Sequence, residues 1–125
     1  MAVQQWDDDT LVVQLTDDPI LSEEMAEVNT RLGDAPSDVV LDMSDLGLLT
    51  SSGISKLLRL RKRMIEAGRK LILCSLRDNV WSVFLATGLD SIFVFTENVT
   101  DALTGIQRAK ANNKRGAADG RREVP

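Results

Sequence analysis

The sequence predicts an α/β fold: a mixed, mainly parallel sheet of four to five strands with about four helices packed against it. Three observations carry this. Strand-like runs alternate with helix-like runs from about residue 10 onward. Two of the strand-like runs are apolar almost without interruption, and 125 residues are enough for one core but not for two. A hydrophobic fraction of 43% beside a charged fraction of 27% is that of a folded, water-soluble chain.

The elements follow in order. Val3 to Trp6 (VQQW) is a short strand joined through Asp7-Asp8-Asp9 to a second, Thr10 to Leu15 (TLVVQL), whose β-branched and aliphatic residues stop at Asp17-Asp18-Pro19. Ile20, Leu21, Met25, Val28 and Leu32 then recur at helical spacing, with Ser22, Glu23 and Glu24 as a start signal suited to the positive end of the helix dipole and Gly33 to Pro36 as the stop. Val39 to Met43 (VVLDM) has the continuous apolar character of a strand covered on both faces. Ser51 to Ala67 is the strongest helix, with Ser51 or Ser52 as cap and Gly68 just past its end. Its apolar half holds Ile54, Leu57, Leu58, Leu60, Met64, Ile65 and Ala67, and its other half Lys56, Arg59, Lys62 and Arg63. Arg61 falls inside the apolar arc and must either snorkel to water or meet a partner. Lys70 to Ser75 is another buried strand, Arg77 to Gly88 a short helix carrying Trp81 and Phe84 as core residues, and Ser91 to Phe95 a last strand. Asn98 or Thr100 opens a final helix through Ala102, Leu103 and Ile106. The reading closes one domain at residue 109 and assigns 110–125 to a disordered tail, because periodicity and large apolar residues run out there.

Several chemistries are hard to build from this composition. The chain has no histidine, no tyrosine and a single cysteine, Cys74, which argues against imidazole acid–base catalysis, serine–histidine triads and His/Cys zinc sites. One cysteine makes no internal disulfide, and no apolar run opens the chain, so the expected location is the cytoplasm. The apolar stretches are far below the ~20 residues of a membrane-spanning helix. Net charge is −4, yet residues 1–50 carry −11 and residues 51–77 carry +7. An acidic N-terminal half of that size repels a nucleic-acid duplex. Asp42, Ser44 and Asp45 lack a general-acid partner for paired-carboxylate catalysis, and a magnesium site there is only weakly signalled. No metal and no cofactor are expected.

The most informative stretch is Val39 to Leu58, VVLDMSDLGLLTSSGISKLL, in which a strand ending in an acidic residue leads through a loop to Thr50-Ser51-Ser52-Gly53 at the start of a helix. It resembles the signature of the STAS family, of the anti-sigma factor antagonist type, whose tetrad reads D-S-S-G or D-S-T-G. The similarity continues through AGRKLILCS, ATGLDSIFVF and VTDAL, and so covers roughly residues 10–107. Two positions depart from the pattern. Thr50 stands where the family has aspartate, and Leu15-Thr16-Asp17-Asp18-Pro19 replaces the usual G-x-L-D after the second strand.

The resemblance implies a binding switch and no enzyme: a module that docks an anti-sigma factor with serine kinase activity, is released by phosphorylation at Ser51, and is reset by a serine phosphatase. Ser52 and Thr50 are the alternative acceptors. The implied partner-binding edge comprises Ser44, Asp45, Thr50, Ser52, Gly53, Lys56 and Arg59, on a monomer or weak dimer. The same family also supplies scaffold subunits of stressosome-like signalling complexes and soluble subunits of lipid-transport ABC systems. Read locally, Ser51 and Ser52 are helix caps and the Lys56/Arg59 face is solvated. A phosphate at that helix end would meet unpaired amides and the positive dipole end, and would also stand in the way of anything packed there.

Overall fold

Three successive strand–helix–strand connections fix the layers. A computed structural model describes residues 3–119, with side chains described as far as Ala111. It contains β1 (Val3–Asp7), β2 (Thr10–Thr16), α1 (Ile20–Asp34), β3 (Asp38–Asp45), α2 (Ser51–Ala67), β4 (Leu71–Cys74), α3 (Asp78–Thr87), β5 (Val94–Thr96) and α4 (Val99–Asp119), with one turn of 3-10 helix at Leu89–Ser91 before β5. The sheet order is β1-β2-β3-β4-β5, so every strand lies beside its neighbour in sequence. β1 pairs antiparallel with β2, and the other three pairings are parallel. The mixed, mainly parallel sheet with four helices is the one predicted.

When strands advance in one direction through right-handed crossovers, every crossover helix lands on the same face. α1, α2 and α3 do so, burying Leu21, Met25 and Val28, then Leu57, Leu60 and Met64, then Val80 and Phe84, against Leu11, Val13, Val39, Leu41 and Leu73 of the sheet. Phe84 packs edge-on against Phe93 and Phe95, with ring centroids 5.7 and 5.2 Å away, and Trp81 meets Phe95 at 4.9 Å. The opposite face, presenting Val40, Ile72 and Cys74, is covered by α4 through Ala102, Leu103 and Ile106.

Helix ends follow the sequence signals where glycine decides them. Gly68 and Gly88 sit at φ of 68° and 76°, the left-handed region in which a side chain is strained, and terminate α2 and α3. Asn98 Oδ1 accepts from the Asp101 amide at 2.8 Å and caps α4. The start of α1 differs from expectation. It begins at Ile20 with no side-chain cap, and Glu24, read as a partner of the helix dipole, is buried and accepts from the Thr16 amide at 2.9 Å. It ties the end of β2 to α1.

Three further differences concern boundaries. β3 continues through Asp45, past the expected end at Met43, so Ser44 and Asp45 also lie on the strand and not in the loop. β5 starts at Val94 and not at Ser91, because Leu89–Ser91 forms a helical turn and Arg61 holds the Ile92 carbonyl at 3.0 Å. α4 runs to Asp119, past Lys110, where the tail was expected to begin. The alanines after Gln107 favour helix, and Lys110 Nζ bonds Asp9 Oδ1 at 2.6 Å. The part of the tail expectation covering 120–125 falls outside the described residues.

That contact belongs to an ion-pair group at the end of the sheet opposite Ser51. Arg69 Nη2 lies 3.1 Å from Asp9, and its Nε lies 3.2 Å from the buried Asp38, close enough for ion pairing though not aligned for a hydrogen bond. Lys110 first, then Arg69, lowers the Asp9 carboxyl to about 2, while Asp9 raises Lys110.

Candidate functional site

The connection from β3 to α2, Leu46 to Thr50, is pinned from beneath and from two sides. Leu46 and Leu49 are buried in the main core. Asp17, just after β2, accepts the amides of Gly47 and Leu48 on one carboxylate oxygen at 2.9 and 3.1 Å. From the other side Asn79 donates to the Gly47 carbonyl at 2.6 Å, and Arg77 Nε donates to the Ser44 carbonyl at 2.9 Å. A loop whose backbone groups are met in this way holds one shape.

Its last residue, Thr50, is extended and is the N-cap of α2, its Oγ1 accepting from the Gly53 amide at 3.1 Å. Aspartate, the residue of the family pattern, and threonine both do this work, so the substitution leaves the helix start intact. Gly53 is required for space. A Cβ there would stand 3.2 Å from both Leu21 and Leu49, tighter than ordinary contact. Gly53 is buried, so its part in the edge is steric.

The three hydroxyls at this end differ. Thr50 is half-buried and engaged in the cap. Ser52 is exposed and accepts from Lys56 Nζ at 2.8 Å. Ser51 is exposed and makes no side-chain hydrogen bond among the described residues. Around them stand two exposed apolar side chains, Leu48 at 63% and Ile20 at 52% of full exposure. Acidic Asp17 and Asp18 lie before α1, and basic Lys56 and Arg59 follow along α2.

The structure therefore brings Thr50, Ser51, Ser52, Gly53 and Lys56 together within the first two turns of one helix, and Arg59 follows, exposed, on the next turn. Ser44 and Asp45 sit on the adjoining strand end, where Asp45 accepts from Gln14 Nε2 at 2.8 Å and Ser44 is half-buried. Asp42 is occupied locally by the Ser44 amide at 3.0 Å. Asp17, Arg77 and Asn79, which shape the loop, were missed by sequence reasoning, and so were Leu48 and Ile20. Asp17 did carry a signal, since it lies where the chain departs from the family's G-x-L-D. Arg77 and Asn79 are 30 or more positions away from what they hold, and nothing local marks them.

Among the described residues no group of three or more acidic, histidine or cysteine side chains is placed to hold a metal ion. No helix among them is long and apolar enough to cross a membrane. Burial pushes the Cys74 thiol up to about 11, so it stays protonated and unreactive near neutral pH.

Comparison with known proteins agrees with this architecture. The STAS domain family model matches residues 3–102. The Bordetella bronchiseptica protein named "Putative anti-sigma factor antagonist BtrV" is 32% identical over 68 residues, 54% of this chain, and the chain spans 59% of that relative's length. The fold is similar to that of a serine-to-glutamate variant of Moorella thermoacetica RsbS, with a TM-score of 0.69 at 19% identity over 88% of this chain and 99% of the other. It is also similar to "a putative anti-sigma factor antagonist" from Thermotoga maritima, with a TM-score of 0.74 at 18% identity over 82% of this chain and 92% of the other. A chain from the structure described as the molecular architecture of the stressosome, a signal integration and transduction hub, gives 0.69 at 18% identity over 86% and 97%. With residues 3–102 matched, which is most of its length, the chain belongs to the STAS domain family.

Proposed function

We propose that this chain is an anti-sigma factor antagonist: a regulatory protein, not an enzyme, that works in the cytoplasm by docking an anti-sigma factor through the start of α2 and the loop before it. The partner carries serine kinase activity, phosphorylation of Ser51 releases it, and a serine phosphatase restores docking. One observation carries the choice of Ser51. Of the three hydroxyls at this helix end it alone is both exposed and without a hydrogen bond among the described residues. A phosphate there adds about −1.5 to −2 charges next to unpaired amides of the first helical turn, which hold it in place. Leu48, three residues before Ser51, and Ile20, the first residue of α1, offer exposed apolar surface that suits protein contact. Bulk and charge then oppose docking.

The test is capture of bound proteins from native lysate by wild type, Ser51→Ala and Ser51→Asp, with intact mass of the recovered bait. Capture of a kinase-fold partner by wild type and Ser51→Ala but not by Ser51→Asp supports the switch. An identical partner set for all three with no phosphorylated wild type removes Ser51 from it.

A second reading, a scaffold subunit of a large signalling assembly, is favoured by the fold likeness to the stressosome chain. It calls for a stable high-mass complex that is indifferent to Ser51→Asp.

A further inference from the structure

Among the described residues α4 alone covers the back of a five-stranded sheet. One helix is ~10 Å across, narrower than five strands spaced ~4.8 Å apart. Sheet is left bare beside it. On the β5 side the gap is a groove of about 520 Å³ between α2, the β4–β5 edge and α4, within the roughly 300–1,000 Å³ of small-molecule sites. Ile65, Ile72, Ile92 and Val94 line it, and Ile65 and Val94 are 59% and 58% exposed. The α4 wall is Gly105 and Ala109, one turn apart, and a Cβ at Gly105 would meet nothing within 4 Å.

The charged side chains lining the groove are all of one sign. Arg61, Arg69 and Lys70 line it and no carboxylate does, in a chain of net charge −4. Arg69 is engaged by Asp9 and Asp38. Arg61 uses its Nε on the Ile92 carbonyl, and neither Arg61 nor Lys70 forms an ion pair among the described residues. We infer that the groove binds a single-chain amphipathic carboxylate, its acyl chain along Ile65, Ile92 and Val94 and its headgroup against Lys70 and Arg61. An extended peptide would bring an amide per residue against walls whose one uncharged polar side chain is Thr96. An acyl chain asks for no such partners. The site lies on the half of α2 away from Ser51 and is independent of the docking proposal.

The test is calorimetric titration of the full chain with dodecanoate below its micelle concentration, with methyl NMR of the same samples. Expected are saturable one-to-one binding and shifts at the Ile65, Ile92 and Val94 methyls. Affinity falls at least ten-fold in Lys70→Glu, in Val94→Asp and for dodecanol in place of dodecanoate. Both substitutions are at exposed positions, and circular dichroism checks that the variants are folded. No saturable binding, full affinity in both variants, shifts confined to the other flank of α4, where Leu103 and Thr104 adjoin Trp6 of β1, or binding only to phosphatidylglycerol vesicles would overturn the inference. So would an acidic peptide that saturates the groove where dodecanoate does not.

Discussion

The two faces of the sheet are built from similar strands and carry unequal cover. Among the described residues the front buries 20 side chains under three helices, with Phe84 and Phe93 in edge-to-face contact, whereas the back buries six under one. Strand order alone accounts for the inequality, because sequential parallel strands send every crossover to the front. The front is a closed core, and the back is a core with open margins.

The largest expected effect compares one truncation from each layer. Phe84→Ala leaves a hole ringed by Phe93, Phe95 and Val80 that cannot collapse, and should cost ~3–5 kcal/mol. Ile106→Ala lies beside a groove where α4 can settle, and should cost ~2 kcal/mol, the low end for such a change. Urea titrations of both variants measure the difference, and equal losses would break the contrast.

A second test follows opening of the back layer alone. Cys74 sits under α4, and its thiol, pushed up to about 11, is protonated at pH 8. Labelling by a thiol reagent in sub-denaturing urea should report an opening free energy below that of global unfolding, as α4 lifts off a standing sheet. Labelling that tracks global unfolding would mean the two layers melt as one.

A smaller effect sharpens the front. Thr50→Ala removes the cap of α2 and should lower stability by ~1 kcal/mol, while Thr50→Asp retains it. Thermal melts of the two variants decide, and a loss in both would assign Thr50 a packing role.

The smallest effect concerns the tie that holds α4 across the back. The Asp9 carboxyl is lowered from 3.8 to about 2, so its contribution is complete above 3.8 and is lost as pH falls through about 2. Its side chain is 40% exposed, and solvent screening limits the term to about 1 kcal/mol or less. Asp9→Asn should flatten that part of the acid-unfolding curve. An unchanged acid slope would remove the tie from the account.

Legibility in the sequence followed how local each cause was. Gly68 and Gly88 end helices by their own backbone freedom, and both ends were readable. The buried strands were readable too, since a parallel strand covered on both sides is apolar throughout. Ile65 was not, because the apolar half of the α2 wheel is wider than the stripe its neighbours cover, and only the arrangement of α4 and β5 decides what stays bare. Glu24 was misplaced because its partner is the Thr16 amide, across a turn, and not the helix dipole. At the candidate site the tetrad and the basic turn after it were visible, while Asp17, Arg77 and Asn79 act on loop backbone distant in sequence.

The strand order has a consequence for how the protein is made. Each strand pairs with the strand synthesised just before it, and none has to wait for a segment not yet translated. A chain leaving the ribosome can add one strand and one helix at a time to a growing edge, with a single helical crossover to close at each parallel pairing. Among the described elements only α4 must reach back across finished strands, and it follows all five of them.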